Sequence, residues 1–217
     1  MNSPSSSSAF PRYLLALTGP SGVGKTTIGE ALAAAAFHCI GKPPIITTRV
    51  PSVHDGNEYC HVTTEEFLEL KETGKLAAET RLSPERERRW YGYRAEDLDA
   101  TWREGKVPVV ITEMRLLQGF VARYGRNAVL SCGLLPPGAG KRAMLAVLLH
   151  RLRLRDRDSE ESIRGRIENA KRDLAFFAER ADLFDYLLVN DNADAIVSIL
   201  EGHVQAAIGN FRRCLAL

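Results

Sequence analysis

The chain has 217 residues, 45% of them hydrophobic and 26% charged, with a formal net charge of +2. That length suits one α/β domain with a substantial core, and so small a net charge argues against a dedicated nucleic-acid surface. Cys39, Cys60, Cys132 and Cys214 lie far apart with no C-x-x-C pair, which argues against a zinc site and for reduced thiols in a cytoplasmic protein. Residues 1–10 are expected to form a disordered serine-rich tail. The apolar run behind it is too short for a signal-peptide core or a membrane span.

Leu14 to Leu17 is an apolar run predicted as the first strand, and Thr18-Gly19-Pro20-Ser21-Gly22-Val23-Gly24-Lys25-Thr26-Thr27 follows it. This stretch fits G-x-x-x-x-G-K-[ST] in full, a loop whose glycines let successive N–H groups approach a polyphosphate. Lys25 would reach the β/γ oxygens and the Thr26 hydroxyl a Mg²⁺ ion, at the positive end of a helix predicted over about 26–37. Strands are predicted at 45–50 and 58–62, with a helix from about 64 to 73 opened by Thr63 and acidic residues. Arg81 to Arg89 reads as a charged loop or short helix, followed by the aromatics Trp90, Tyr91 and Tyr93 and an acidic helix start at Ala95 to Asp99. Val107 to Thr112 is the clearest buried strand, and it delivers Glu113 at its end. Further elements are a strand at 128–132, helices at about 141–155 and 160–180, a strand at 185–189 and a helix at about 193–207. Strands alternating with helices imply α/β architecture, a parallel sheet with helices on both faces, and ligands beyond the C-terminal strand ends. There the phosphate loop, Glu113 and Asn190 should meet. Residues 65–97 do not alternate, which suggests a small α+β insert able to close over the site.

A phosphate loop alone leaves ATPase, GTPase and kinase open, and the N-K-x-D pattern that reads guanine in small GTPases is absent. Arg151 and Arg155 stand at i,i+4 on one helix face, and Arg166 lies across a charged turn. Joining two anionic substrates demands such cations, although a solvated helix face explains the spacing equally well.

These stretches, with Thr47-Thr48-Arg49-Val50-Pro51, Asp55-Gly56-Asn57-Glu58-Tyr59, Thr64-Glu65-Glu66-Phe67, Tyr91-Gly92, Pro136-Pro137 and Asp185-Tyr186-Leu187-Leu188-Val189-Asn190-Asp191, resemble the guanylate kinase family, in its order and across nearly the whole chain. The resemblance implies a P-loop core (about 11–45, 98–150 and 181–217), an acceptor-binding insert (about 46–97) and a helical lid (about 151–180). It implies ATP as donor, Mg²⁺ as cofactor and GMP or dGMP as acceptor, converted to the diphosphate. Gly19, Ser21, Gly22, Val23, Gly24, Lys25, Thr26, Thr27 and Asn190 would bind ATP, with Asn190 beside the adenine. Thr26 and Glu113 would serve the metal. Arg49, Tyr59, Glu79, Tyr91 and Glu113 would bind the acceptor, and Lys25, Arg49, Arg151, Arg155 and Arg166 would carry catalysis. The expected partners are small nucleotides, without nucleic acid or membrane, in a monomer or homodimer.

The departures from that pattern all concern the acceptor. Ser52 replaces a second arginine, Ile45 a serine and Tyr93 a small hydroxyl residue, while Ala78 stands where a glutamate is expected, with Glu79 next to it. Ile111 takes the place of one acid of a pair. Arg86, Arg88 or Arg89 is a candidate substitute for the missing arginine. An altered acceptor such as ribose 1,5-bisphosphate or a modified nucleotide, and a non-catalytic guanylate-kinase-like binding module, are the alternatives.

Overall fold

The computed structural model describes residues 12–53, 55–82, 89–156 and 158–214, the side chains of 82 and 210–214 excepted. The expected tail over 1–10 lies outside them, as do Arg86 and Arg88.

β1 (Leu14–Thr18) is buried at every residue because it is central, flanked in parallel by two later strands. This explains its unbroken apolar run where a half-exposed strand would alternate. α1 (Lys25–Ala35) follows the glycine loop and buries Ile28, Gly29 and Leu32. β2 (Ile40–Gly41), β3 (Ile45–Thr47) and β4 (Tyr59–His61) are short. α2 (Thr64–Glu72) begins with a full capping box, in which the Thr63 hydroxyl accepts from Glu66 N and the Glu66 carboxylate from Thr63 N. β5 (Leu76–Leu82) and β6 (Arg89–Arg94) form an antiparallel pair, α3 (Ala95–Arg103) follows, and β7 (Val107–Thr112) returns to the main sheet. α4 (Met114–Tyr124), β8 (Val129–Leu135), α5 (Lys141–Leu154), α6 (Glu160–Glu179), β9 (Tyr186–Val189) and α7 (Ala193–Cys214) complete the order.

The strands make a five-stranded parallel sheet, β2-β7-β1-β8-β9, and a four-stranded mixed sheet, β4-β3-β6-β5. Side-chain alternation gives the second sheet two faces. Ile46 and Trp90 pack beneath Phe67 of α2 on the outer face. Ile45, Ala78 and Tyr93 share the inner face and pack with Leu117 and Phe120 of α4 and with Val110 of β7. The buried Tyr93 hydroxyl donates to Ile111 O and accepts from Ile111 N, both at 2.9 Å, which joins the sheets. β2 is only two residues long, so it leaves that stretch of β7 edge open and Tyr93 satisfies it.

Candidate active site

Gly22 and Gly24 hold φ of 86° and 105°, a region costly for any residue with a Cβ. Their surroundings are also closed. A Cβ on Gly24 would lie 2.5 Å from Asn190 Nδ2, and one on Gly22 3.1 Å from Leu152 Cγ. The loop is gripped from behind at one carbonyl, Val23 O, which accepts from Asn190 Nδ2 at 2.7 Å and from Arg151 Nη1 at 3.3 Å. Arg151 Nη2 also donates to Asn190 O at 2.8 Å, so β9 and α5 lock together there.

Lys25 folds inward, its ammonium donating to Gly19 O at 2.5 Å and Pro20 O at 3.1 Å. Burial pulls its pKa down to about 8; Asp173 opposes the fall, Arg155 adds to it, Glu113 opposes it and Arg166 adds to it. Asp173 is the reciprocal case, pushed up to about 6 by burial, drawn down by Lys25 and raised further by Glu113. The helix geometry accounts for this. Arg166, Ala170, Asp173 and Phe177 recur on one face of α6. Arg166 Nη1 donates to Ser21 Oγ at 2.8 Å, and its Nη2 to Asp158 Oδ1 at 2.9 Å. Phe177 reaches the position a Cβ on Gly133 would occupy, and Gly133 pairs with Thr18 at the loop's entrance. Asp173 therefore lies along the loop between those two contacts.

Thr26 and Thr27 are exposed in the first turn of α1. Glu113 leaves β7 in extended conformation and caps α4, its carboxylate oxygens each accepting at 2.9 Å from Arg115 N and Leu116 N. Among the described residues no three His, Cys, Asp or Glu side chains form a metal cage. Thr26, Glu113 and Asp173 near Lys25 instead offer a few oxygen donors, a set that suits a Mg²⁺ ion retaining most of its waters. Arg155 caps the C-terminus of α5 and is exposed.

Beside the mixed sheet, Arg49 Nη2 donates to Asp55 Oδ1 at 2.6 Å, and its guanidinium stands 4.9 Å from the Tyr59 ring centre. Asp55 Oδ2 accepts Ser52 N–H at 2.8 Å and lies 3.2 Å from His61 Nε2, while His61 Nδ1 is 2.8 Å from Arg49 O. Against the upward pull of burial, the Arg49 and Ser52 hydrogen bonds and the charges of Arg49 and His61 hold the Asp55 carboxyl below its ordinary value. Tyr91 stands opposite Thr47 on β3 and Thr80 on β5, facing inward.

The loop, Lys25, Glu113, Arg166 and Asn190 are thus brought together, and Arg49, Tyr59 and Tyr91 form a second group. Glu79 joins neither. It pairs with Gly92 on the outer face and meets Lys71 Nζ of α2 at 3.1 Å, because strand alternation turns it away from Tyr91. Arg151 holds backbone carbonyls, where sequence reasoning gives it a catalytic charge. Arg89 opens β6. Sequence reasoning missed Asp173, Asp55 and His61. For Asp173 a signal existed, its spacing of seven from Arg166 on one helix.

Parallel order, a glycine loop between β1 and α1, and cations converging on that loop define a P-loop α/β protein of the kinase type. Three curated guanylate kinases are similar to the chain over most of their length. That of Thermosynechococcus vestitus is 31% identical over 197 residues, 88% of this chain and 92% of the relative. That of Synechococcus sp. (strain JA-3-3Ab) is 32% identical over 190 residues, covering 87% and 80%, and that of Anaeromyxobacter dehalogenans is 30% identical over 198 residues, covering 90% and 81%. The crystal structure of guanylate kinase from Anaplasma phagocytophilum has the same fold, with a TM-score of 0.65 at 21% identity over 89% of this chain and 85% of that one. No family model matches the chain. The chain belongs to the guanylate kinase family. No described helix is long and apolar enough to cross a membrane.

Proposed function

We propose that the protein is an ATP-dependent phosphotransferase that converts GMP, or dGMP, to the diphosphate. The observation that carries this reading is the complete phosphate loop with Lys25 stored on its own carbonyls, in a chain whose relatives at 30% identity and above are named guanylate kinase. In this reading Lys25 exchanges Gly19 O and Pro20 O for the β/γ oxygens of ATP, and the backbone amides of residues 21–26 surround the phosphates. The Thr26 hydroxyl and, through water, the Glu113 carboxylate are the groups that would hold Mg²⁺, which supplies charge neutralisation between the β- and γ-phosphates when bound. Asn190 and Arg151 keep the loop shaped from the adenine side.

Arg49 presents a planar fork to the acceptor phosphate, and the Tyr59 and Tyr91 hydroxyls complete its oxygen contacts. Arg155 and Arg166, on either side of the turn after α5, act as lid cations that offset the repulsion between the two anions and exclude water. Transfer is in line and needs no covalent enzyme intermediate.

An ADP-release assay across GMP, dGMP, AMP, UMP and CMP tests this reading. GMP and dGMP turnover is the expected outcome, and millimolar substrate with no turnover on any of the five removes it.

A further inference from the structure

The inner face of the mixed sheet carries a polar group with nothing to bind. Thr80 is 3% exposed, and its Oγ1 has no hydrogen-bond partner. Apart from Tyr91, its neighbours there have spent their polar groups or have none. The Thr47 hydroxyl donates to Trp90 O and accepts from Arg49 N, the Tyr93 hydroxyl is committed to Ile111, and Ile45 and Ala78 are apolar. A buried hydroxyl left unpaired is costly, and such groups in native proteins call for a reason.

Its position supplies one. Arg123 of α4 donates to Leu76 O at 3.1 Å, and a Cβ on Gly119 would lie 3.0 Å from Ala78 Cβ. Two residues of strand advance about as far as four residues of helix, roughly 6 Å. The same step again sets Thr80 level with Arg115, in the first turn of α4 and next to Glu113. Across the sheet, Thr80, Tyr91 and Thr47 form one row of adjacent strands. With about 4.8 Å between strands, Thr80 stands about 10 Å from the β3 end where Arg49 begins. That is the span from the phosphate of a nucleoside monophosphate to the polar edge of its base.

We propose, resting on the kinase reading above, that the Thr80 hydroxyl is a specificity-determining contact that hydrogen-bonds the polar edge of the acceptor purine. It is the cross-strand neighbour of Tyr91. Glu79, one residue earlier, is held on the opposite face by Lys71, so the edge is read by a neutral group that both donates and accepts.

Thr80→Val keeps the shape and removes the hydroxyl, while Thr80→Ser restores it. The two variants and the wild type are compared by GMP titration calorimetry, by steady-state kinetics with GMP and AMP, and by thermal melting. The expected result for Thr80→Val is a loss of about tenfold in GMP affinity and in kcat/KM for GMP. The GMP-to-AMP preference shrinks by a similar factor, the KM for ATP is unchanged and the melting temperature is equal or higher. Thr80→Ser stays close to wild type. Undiminished GMP binding in Thr80→Val overturns the proposal, as does a loss matched by Thr80→Ser and by a fall in melting temperature. Wild-type protein that binds GMP through Thr80 yet transfers no phosphoryl group supports the contact and overturns the kinase reading. Full turnover in Thr80→Val does the reverse.

Discussion

Lys25 and Asp173 feel each other's charge, but burial sets the ionisation of both, one pulled down to about 8 and the other pushed up to about 6. Because the unfolded chain keeps the lysine proton to its ordinary 10.5, this group opposes folding fully below pH 8, and the penalty fades as pH rises from 8 to 10.5. For the carboxyl the penalty is absent below its ordinary 3.8 and grows as pH rises to about 6. Lys25→Ala is therefore expected to leave the melting temperature at neutral pH unchanged or higher while lowering kcat/KM by about 10²- to 10³-fold, measured by melting and steady-state kinetics on one preparation. The free enzyme should show kcat/KM for ATP rising through about pH 6 and falling through about pH 8, as the carboxylate forms and the ammonium is lost. Asp173→Asn should flatten the acid limb alone, and a pH–rate profile that keeps it would show that another group titrates there. Lys25 was legible from the loop pattern, whereas Asp173 depends on two turns of α6 lying against the loop. Glu79 illustrates the opposite error, since a one-residue step along a strand decides which face a carboxylate occupies.

Among the elements, those of the parallel sheet were the legible ones because burial on both sides makes their strands continuous apolar runs, as in β1 and β7. In the mixed sheet β3 and β4 fall within the strands expected at 45–50 and 58–62, whereas β5 and β6 were not legible. β5 reads Leu-Ala-Ala-Glu-Thr-Arg-Leu, an alanine-rich composition with weak strand preference, and its place is decided by pairing with β6 and packing on α4. α4 escaped notice because its N-cap is a glutamate, which does the work usually done by Ser, Thr, Asp or Asn. Tyr93 joins the sheets, and its hydroxyl serves a strand edge that β2 is too short to cover. Tyr93→Phe should orphan Ile111 N and O and cost about 1–3 kcal/mol, read as a lower denaturant midpoint. An unchanged midpoint would mean that another group satisfies that edge.

At the scale of the whole molecule, the near-neutral charge conceals a sorted distribution. Arg151 and Arg166 contact the phosphate loop from α5 and α6, and Arg155 stands at the end of α5. Arg49 stands beside the mixed sheet with Asp55 as its counter-ion, the carboxylate that an acceptor phosphate would have to displace in the proposed reaction. Chain order made the two groups of cations legible, but only the folded arrangement shows that Arg151 spends its guanidinium on the backbone carbonyls of Val23 and Asn190. In the proposed reaction the two groups join two anions and move one phosphoryl group between them. Quantifying all four nucleotides by chromatography, after MgATP and GMP are incubated with the protein, tests it most directly. Equal amounts of ADP and GDP, formed together and lost together in Lys25→Ala, are the expected result. ADP accumulating without GDP, or ATP left intact beside GMP, would contradict the account.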